Sequence, residues 1–109
     1  GQYADCTTMN GWLNTIGQYA DYTTMNGWLN TIGQSADCTT MNGSNNKAKS
    51  SYETIFGRYA DTTAVSGYNG DWEGDHQLFA VGNGTAVKRN NALTVMKNGR
   101  IGGQRTANT

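Results

Sequence analysis

The stretch GQYADYTTMNGWLNTI, residues 17–32, repeats residues 1–16 at fifteen of sixteen positions, with Tyr22 in place of Cys6. A third copy, GQSADCTTMNG, starts at Gly33, and a more divergent fourth, GRYADTTAVSG, at Gly57. The spacings between successive unit glycines run 10, 6, 10, 6 and 10, then 14, which divides as seven plus seven around Ser50, then 10 again. A unit of 14 to 16 residues is too short for a pair of helices and fits one coil of a β-solenoid or β-roll built from two half-turns. Catalytic sites are single, asymmetric constellations, whereas identical stacked units make a surface or a rod. The repeat therefore points to architecture before it points to chemistry.

Local composition agrees. Asn-Gly pairs begin at 10, 26, 42, 69, 83 and 98, and each supplies the positive φ of a tight turn, so these pairs are predicted to close the corners. Between them lie short β-favouring runs, TTM, NTI, TAV and ETIF, with no sustained 3.6-residue period. Strand alternation puts Thr23 and Met25 on one face and Thr24 and Asn26 on the other. Met9, Met25, Met41 and Val65 are predicted to form one inward ladder, and Ile16, Ile32 and either Ile55 or Phe56 a second. Asn and Thr on the remaining positions can hydrogen-bond along the stack. Asp5, Asp21, Asp37 and Asp61 also recur, and like charges at strand spacing are unfavourable unless each carboxylate accepts nearby backbone N–H groups, so Asx-type turns are expected there.

At 109 residues with 36% hydrophobic content, the chain fits one small all-β domain with a thin core. Its eight basic and eight acidic residues are unevenly placed. Residues 1–46 hold three Asp and no Lys or Arg, a net of −3, and residues 47–109 hold all eight basic residues against five acids, a net of +3. Lys88 and Arg89 are the sole adjacent basic pair, and no run of eighteen apolar residues occurs, so neither a nucleic-acid partner nor direct membrane contact is expected. Gly1 opens inside a repeat unit, which makes a piece of a longer chain the expectation.

Cys6 and Cys38 share one repeat position with Tyr22 between them. Rungs about 4.8 Å apart would hold the two sulfurs about 9 to 10 Å from one another, beyond the ~7 Å Cα limit of a disulfide. Free, buried thiols are the expectation, with a bridge between chains as the alternative.

Trp12, Leu13, Trp28 and Leu29 recur at GWLN, where the third repeat has GSNN. The first two coils thus carry an apolar patch, either an interface or a ligand platform, and subunit association is favoured because it supplies burial that the small core lacks. Tyr3 and Tyr19, with Trp12 and Trp28, are candidates for stacking on sugar rings.

The residues of an enzyme do not converge. The single histidine, His76 in GDWEGDHQ, has no nucleophile motif to serve and is expected in a surface turn. Asp71, Glu73 and Asp75 alternate with Trp72 and Gly74 without the ligand order of an EF-hand, so a solvated turn is expected and no metal. The chain has neither a P-loop nor a dinucleotide fingerprint, so no cofactor and no catalytic residue is assigned. The NGT at 83–85 fits a glycosylation sequon, although a turn accounts for it equally.

Coils ending TTMNG, NTIG and ETIFG resemble the YadA-like head repeats of trimeric autotransporter adhesins, over residues 1–67, with GSNNKAKSSYETIFGRYADTT the best match. The 16-residue period and the Met and Trp residues depart from that family. The segment HQLFAVGNGTAVKRNNALTVMKNGRIGG, residues 76–103, is similar to the segment that closes such rolls in bacterial surface proteins and phage tail fibres. The resemblance implies a left-handed parallel β-roll over 1–67, a capping or neck-like β segment over 68–109, and a homotrimer. It also implies an extracellular structural and adhesive module on a bacterial surface or virion, with host glycan or matrix protein as partner. A phage tail-fibre or receptor-binding segment is the alternative. An ice- or polysaccharide-binding β-solenoid is a third reading, weakened because the outward pattern is Thr-x-Asn and not Thr-x-Thr.

Overall fold

The computed structural model describes residues 5–61 and 72–103. It is all-β, a parallel β-solenoid of about three turns. Each coil contributes a long strand to one sheet and a two-residue strand to another. The long strands β1 (Thr8–Trp12), β3 (Thr24–Trp28), β5 (Thr40–Ser44), β7 (Thr54–Arg58) and β8 (Gln77–Asn83) pair in parallel. The short strands β2 (Thr15–Ile16), β4 (Thr31–Ile32) and β6 (Lys47–Ala48) form the second sheet. After β8 the first sheet turns antiparallel through β9 (Asn91–Met96) and β10 (Ile101–Gly103).

Register follows the repeat, so like sits on like. Met9, Met25, Met41, Ile55 and Ala80 occupy successive rungs, and Ile16, Ile32 and Ala48 face them from the short sheet. Met25, Met41, Ile55, Ile32, Ala20 and Ala36 are fully buried. Burying each of the larger side chains contributes about 1.5–3 kcal/mol. Met9 is 43% exposed because β1 is the edge strand of the described sheet. Ile55 therefore belongs to the methionine ladder and not to the isoleucine ladder, and Phe56 points outward, 42% exposed. Val65, Tyr3 and Asp71 lie outside the described residues.

Three expectations are corrected by this register. First, GRYAD at Gly57 is not a fourth copy in phase, because Gly57 pairs with Gly43 and Arg58 with Ser44, half a coil away from the GQSAD position. The chain shortened that coil by two residues, so Ser51, not Asp61, follows Asp37 on the ladder: the Asp37 N–H donates to Ser51 Oγ at 2.9 Å. Second, the carboxylates of Asp21 and Asp37 accept between coils and not from a local turn. The Asp5 N–H donates to Asp21 Oδ1, and the Asp21 N–H to Asp37 Oδ1, both at 2.7 Å, so each carboxylate is held by a backbone dipole of the preceding coil. Third, the Asn-Gly pairs at 10, 26 and 42 lie inside β1, β3 and β5 and close no corner. Gly27 has φ +126°, and a Cβ there would overlap the Gly43 carbonyl oxygen of the next coil. The glycine is required by close approach of neighbouring coils. Asn69-Gly70 is outside the described residues, and Asn98-Gly99 does make a hairpin turn, with Gly99 at φ +91° and the Met96 N–H donating to Arg100 O at 2.8 Å.

Candidate functional site: the tryptophan corner

The corners are made by non-glycine residues in the left-handed region. Leu13, Leu29, Asn45 and Tyr59, each directly after a long strand, have φ of 58°, 57°, 58° and 46°. Such a conformation costs about 1–2 kcal/mol for an L-residue, and here it is offset by bonds between coils. The Leu29 N–H donates to Trp12 O and the Asn45 N–H to Trp28 O, both at 3.0 Å, and the Tyr59 N–H to Ser44 O at 3.1 Å. The next residue locks the corner from inside. Asn30 Nδ2 donates to Gly43 O at 2.8 Å, and its Oδ1 accepts the Asn46 N–H at 3.1 Å. Asn46 repeats both contacts with Gly57 O at 2.8 Å and the Ala60 N–H at 3.0 Å.

This frame brings four of the sequence-predicted residues together. Trp12 and Trp28 stack with ring centroids 5.6 Å apart and planes 5° from parallel, inside the range where aromatic pairs attract. Leu13 and Leu29 flank them, and all four side chains are exposed, from 60% for Trp12 to 37% for Leu29. Of the other two, Tyr3 is outside the described residues and Tyr19 lies in the turn after β2, a separate corner, at φ 63°.

Beyond Trp28 the ladder changes chemistry. Ser44 and then Arg58 succeed Trp12 and Trp28, while Asn45 and Tyr59 succeed Leu13 and Leu29. Arg89, from the loop after β8, covers this end, with its guanidinium 5.7 Å from the Tyr59 ring centroid. Its Nη1 donates to Asn45 O at 2.8 Å and to Ala60 O at 3.0 Å. The sequence shows Ser44 and Asn45 as a break in the GWLN pattern; that Arg58 succeeds them on the same ladder depends on the shortened coil.

A third corner overturns the expectation of buried thiols. Cys6, Tyr22, Cys38 and Tyr52 hold successive left-handed positions, φ 55°, 58°, 55° and 64°, and their side chains point out. Both cysteines are free and exposed, with Tyr22 on the rung between them. The ring of Tyr52 meets Trp72 edge-on at 5.6 Å. A left-handed residue turns its Cβ away from the core, which strand alternation alone does not show.

The closing segment hides a polar cluster that sequence reasoning missed. Glu53, 1% exposed, accepts from the Lys49 and Ser50 N–H groups at 2.9 and 2.7 Å, from Ser50 Oγ at 2.8 Å and from Gln77 Nε2 at 3.0 Å. Lys97 Nζ reaches Ser50 Oγ at 3.2 Å and lies 5.3 Å from the Trp72 ring centroid. Burial pulls the Lys97 ammonium below its usual 10.5, and the nearby Glu53 charge opposes that shift. His76 is in a turn, as expected, but it is buried, not at the surface, and its carbonyl accepts the Lys97 N–H at 2.9 Å. Glu73 and Asp75 are exposed, and no three metal-ligating side chains converge among the described residues. The one available signal for the cluster was the substitution of Glu53 for the Thr of TTM. No family model matches the chain, and neither a curated protein nor a solved structure is found similar to it.

Proposed function

We propose that this chain is a structural and adhesive module of an extracellular fibre, a trimeric β-roll whose repeated surface holds weak contacts in multiple copies. One observation carries the self-association. The outward face of the long-stranded sheet turns apolar at its C-terminal end, where register places Phe56, Phe79, Val81, Leu93, Val95 and Ile101 on one side. Phe56 and Ile101 are 42% and 72% exposed, and Arg58 is the one charged side chain among the outward residues of the parallel strands. An extended apolar face of this kind marks an association surface, and three copies multiply every corner site. The YadA-like character of the coils supports the same reading, and a bacterial adhesin head and a phage tail fibre both use such a module.

Sedimentation or light scattering tests it. Three copies of the 11.7 kDa chain should travel together, and Ile101→Lys with Phe56→Lys should release monomer. A wild-type chain that stays monomeric at high concentration would remove the trimer.

A further inference from the structure

The corner ladder reads Trp12, Trp28, Ser44, Arg58, and its third rung lacks a ring. Trp12 covers one face of Trp28, so the opposite face is turned toward Ser44. From Trp28 to Arg58 is two rungs, about 9.6 Å, which leaves room for one ring at van der Waals distance from each neighbour. Ser44 and Asn45 floor this notch, Leu29 and Tyr59 bound it along the corner, and the side chains of Ser44 and Asn45 form no hydrogen bond among the described residues. No acidic side chain stands on either ladder, and both Arg58 and Arg89 are at this end.

We infer that the notch is a subsite for a single carboxylate-bearing pyranose, the acidic sugar unit of a glycan. The apolar face of the sugar ring stacks on Trp28, whose π-face is electron-rich and attracts C–H dipoles. Its hydroxyls meet the Ser44 hydroxyl and the Asn45 amide, a floor that an aromatic hydrocarbon ring would leave without partners. Its carboxylate meets Arg58, the guanidinium fork suited to that group. The inference rests on the adhesive reading only for its use outside the cell; the binding is a property of each chain in any oligomeric state.

The test uses the full chain and two probes, methyl glucuronide and methyl glucoside, read by the indole N–H resonance of Trp28 assigned with Trp28→Phe. Binding of the glucuronide should be saturable and weak, about millimolar for one ring, and several-fold tighter than that of the neutral glucoside. Arg58→Gln should weaken the glucuronide about tenfold and leave the glucoside unchanged. Ser44→Trp should fill the rung and abolish both, with the β-sheet circular dichroism retained. The inference is overturned if neither probe moves the Trp28 resonance, or if Ser44→Trp binds as the wild type does. It is also overturned if Ser44→Trp instead changes the sedimenting mass, because the notch then holds a second copy of the chain. A monomer that still binds the glucuronide would refute the trimer and leave the subsite standing.

Discussion

The repeat coils and the closing segment solve the same problem by opposite means. In residues 5–48 a recurring set of side-chain hydrogen bonds joins like positions one coil apart: the Asn30 N–H to Asn14 Oδ1, the Asn46 N–H to Asn30 Oδ1, the Asp5 N–H to Asp21 Oδ1, and the outer Asn10 to Asn26 at 2.9 Å. The buried hydroxyls of Thr23 and Thr39 have no partner. From β7 onward the partners are unlike residues brought from far along the chain, as with Glu53 and Gln77, Asn91 and Gln77 at 2.7 Å, and Lys97 and Ser50. Translation makes the first kind of network extensible, since each added coil brings its own partners. The second kind is made once and ends the pattern.

The largest expected effect lies in the repeat region. Gly27→Ala puts a Cβ into the Gly43 carbonyl at a φ that alanine resists, and a loss above about 4 kcal/mol is expected. A urea midpoint within error of wild type would show that the coils can separate locally, contrary to the ladder picture. Where the last coil meets the closing segment, Glu53→Ala removes the acceptor of four hydrogen bonds and leaves the Lys97 charge buried without its counter-charge. About 3–5 kcal/mol should be lost, with amide exchange accelerating in β8 and β9 before β3; uniform acceleration across all strands would erase the distinction between the two regions.

Lys97 sharpens the contrast through pH. Its folded pKa is depressed by burial below the unfolded 10.5, so the unfolded chain binds more protons between those two values. Stability should therefore rise with pH through that window, while the unfavourable burial of the charge is fully present below it. Subtracting the pH profile of Lys97→Met isolates this slope, and a flat difference would mean that the ammonium remains hydrated. The smallest effect returns to the repeat. Thr39→Val replaces a buried, unpartnered hydroxyl with a methyl group of the same shape, and a gain of about 1 kcal/mol in urea is expected. A loss of that size would reveal a hydrogen bond at Thr39 Oγ1.

Much of this was legible before any coordinates. The 16-residue period fixes which residues share a rung, because identical units stack in phase, and so Met25 on Met41, Ile16 on Ile32 and the Trp12–Trp28 pair follow from sequence alone. What the period cannot show is the side to which a corner residue points. Cys38 and Leu29 take the left-handed conformation, in which the two-residue alternation of a strand no longer applies. The same limit made Asn10-Gly11 look like a turn: the motif signals positive φ correctly, but coil-to-coil approach within a strand uses that conformation as readily as a hairpin does.

The sequence by itself determined the rung, the core ladders as far as Met41 and Ile32, and the interruption of GWLN at Ser44, all of which are matters of periodic spacing. The tertiary structure decided the rest. It placed Gly57 half a coil out of phase with its apparent repeat, set Arg58 across the gap from Trp28, and gathered Glu53, Gln77 and Lys97 into one buried cluster. Those placements depend on a two-residue deletion and on the turn from parallel to antiparallel pairing after β8. Both break translational symmetry, and beyond such a break a residue's neighbours are set by three-dimensional packing and no longer by its distance along the chain.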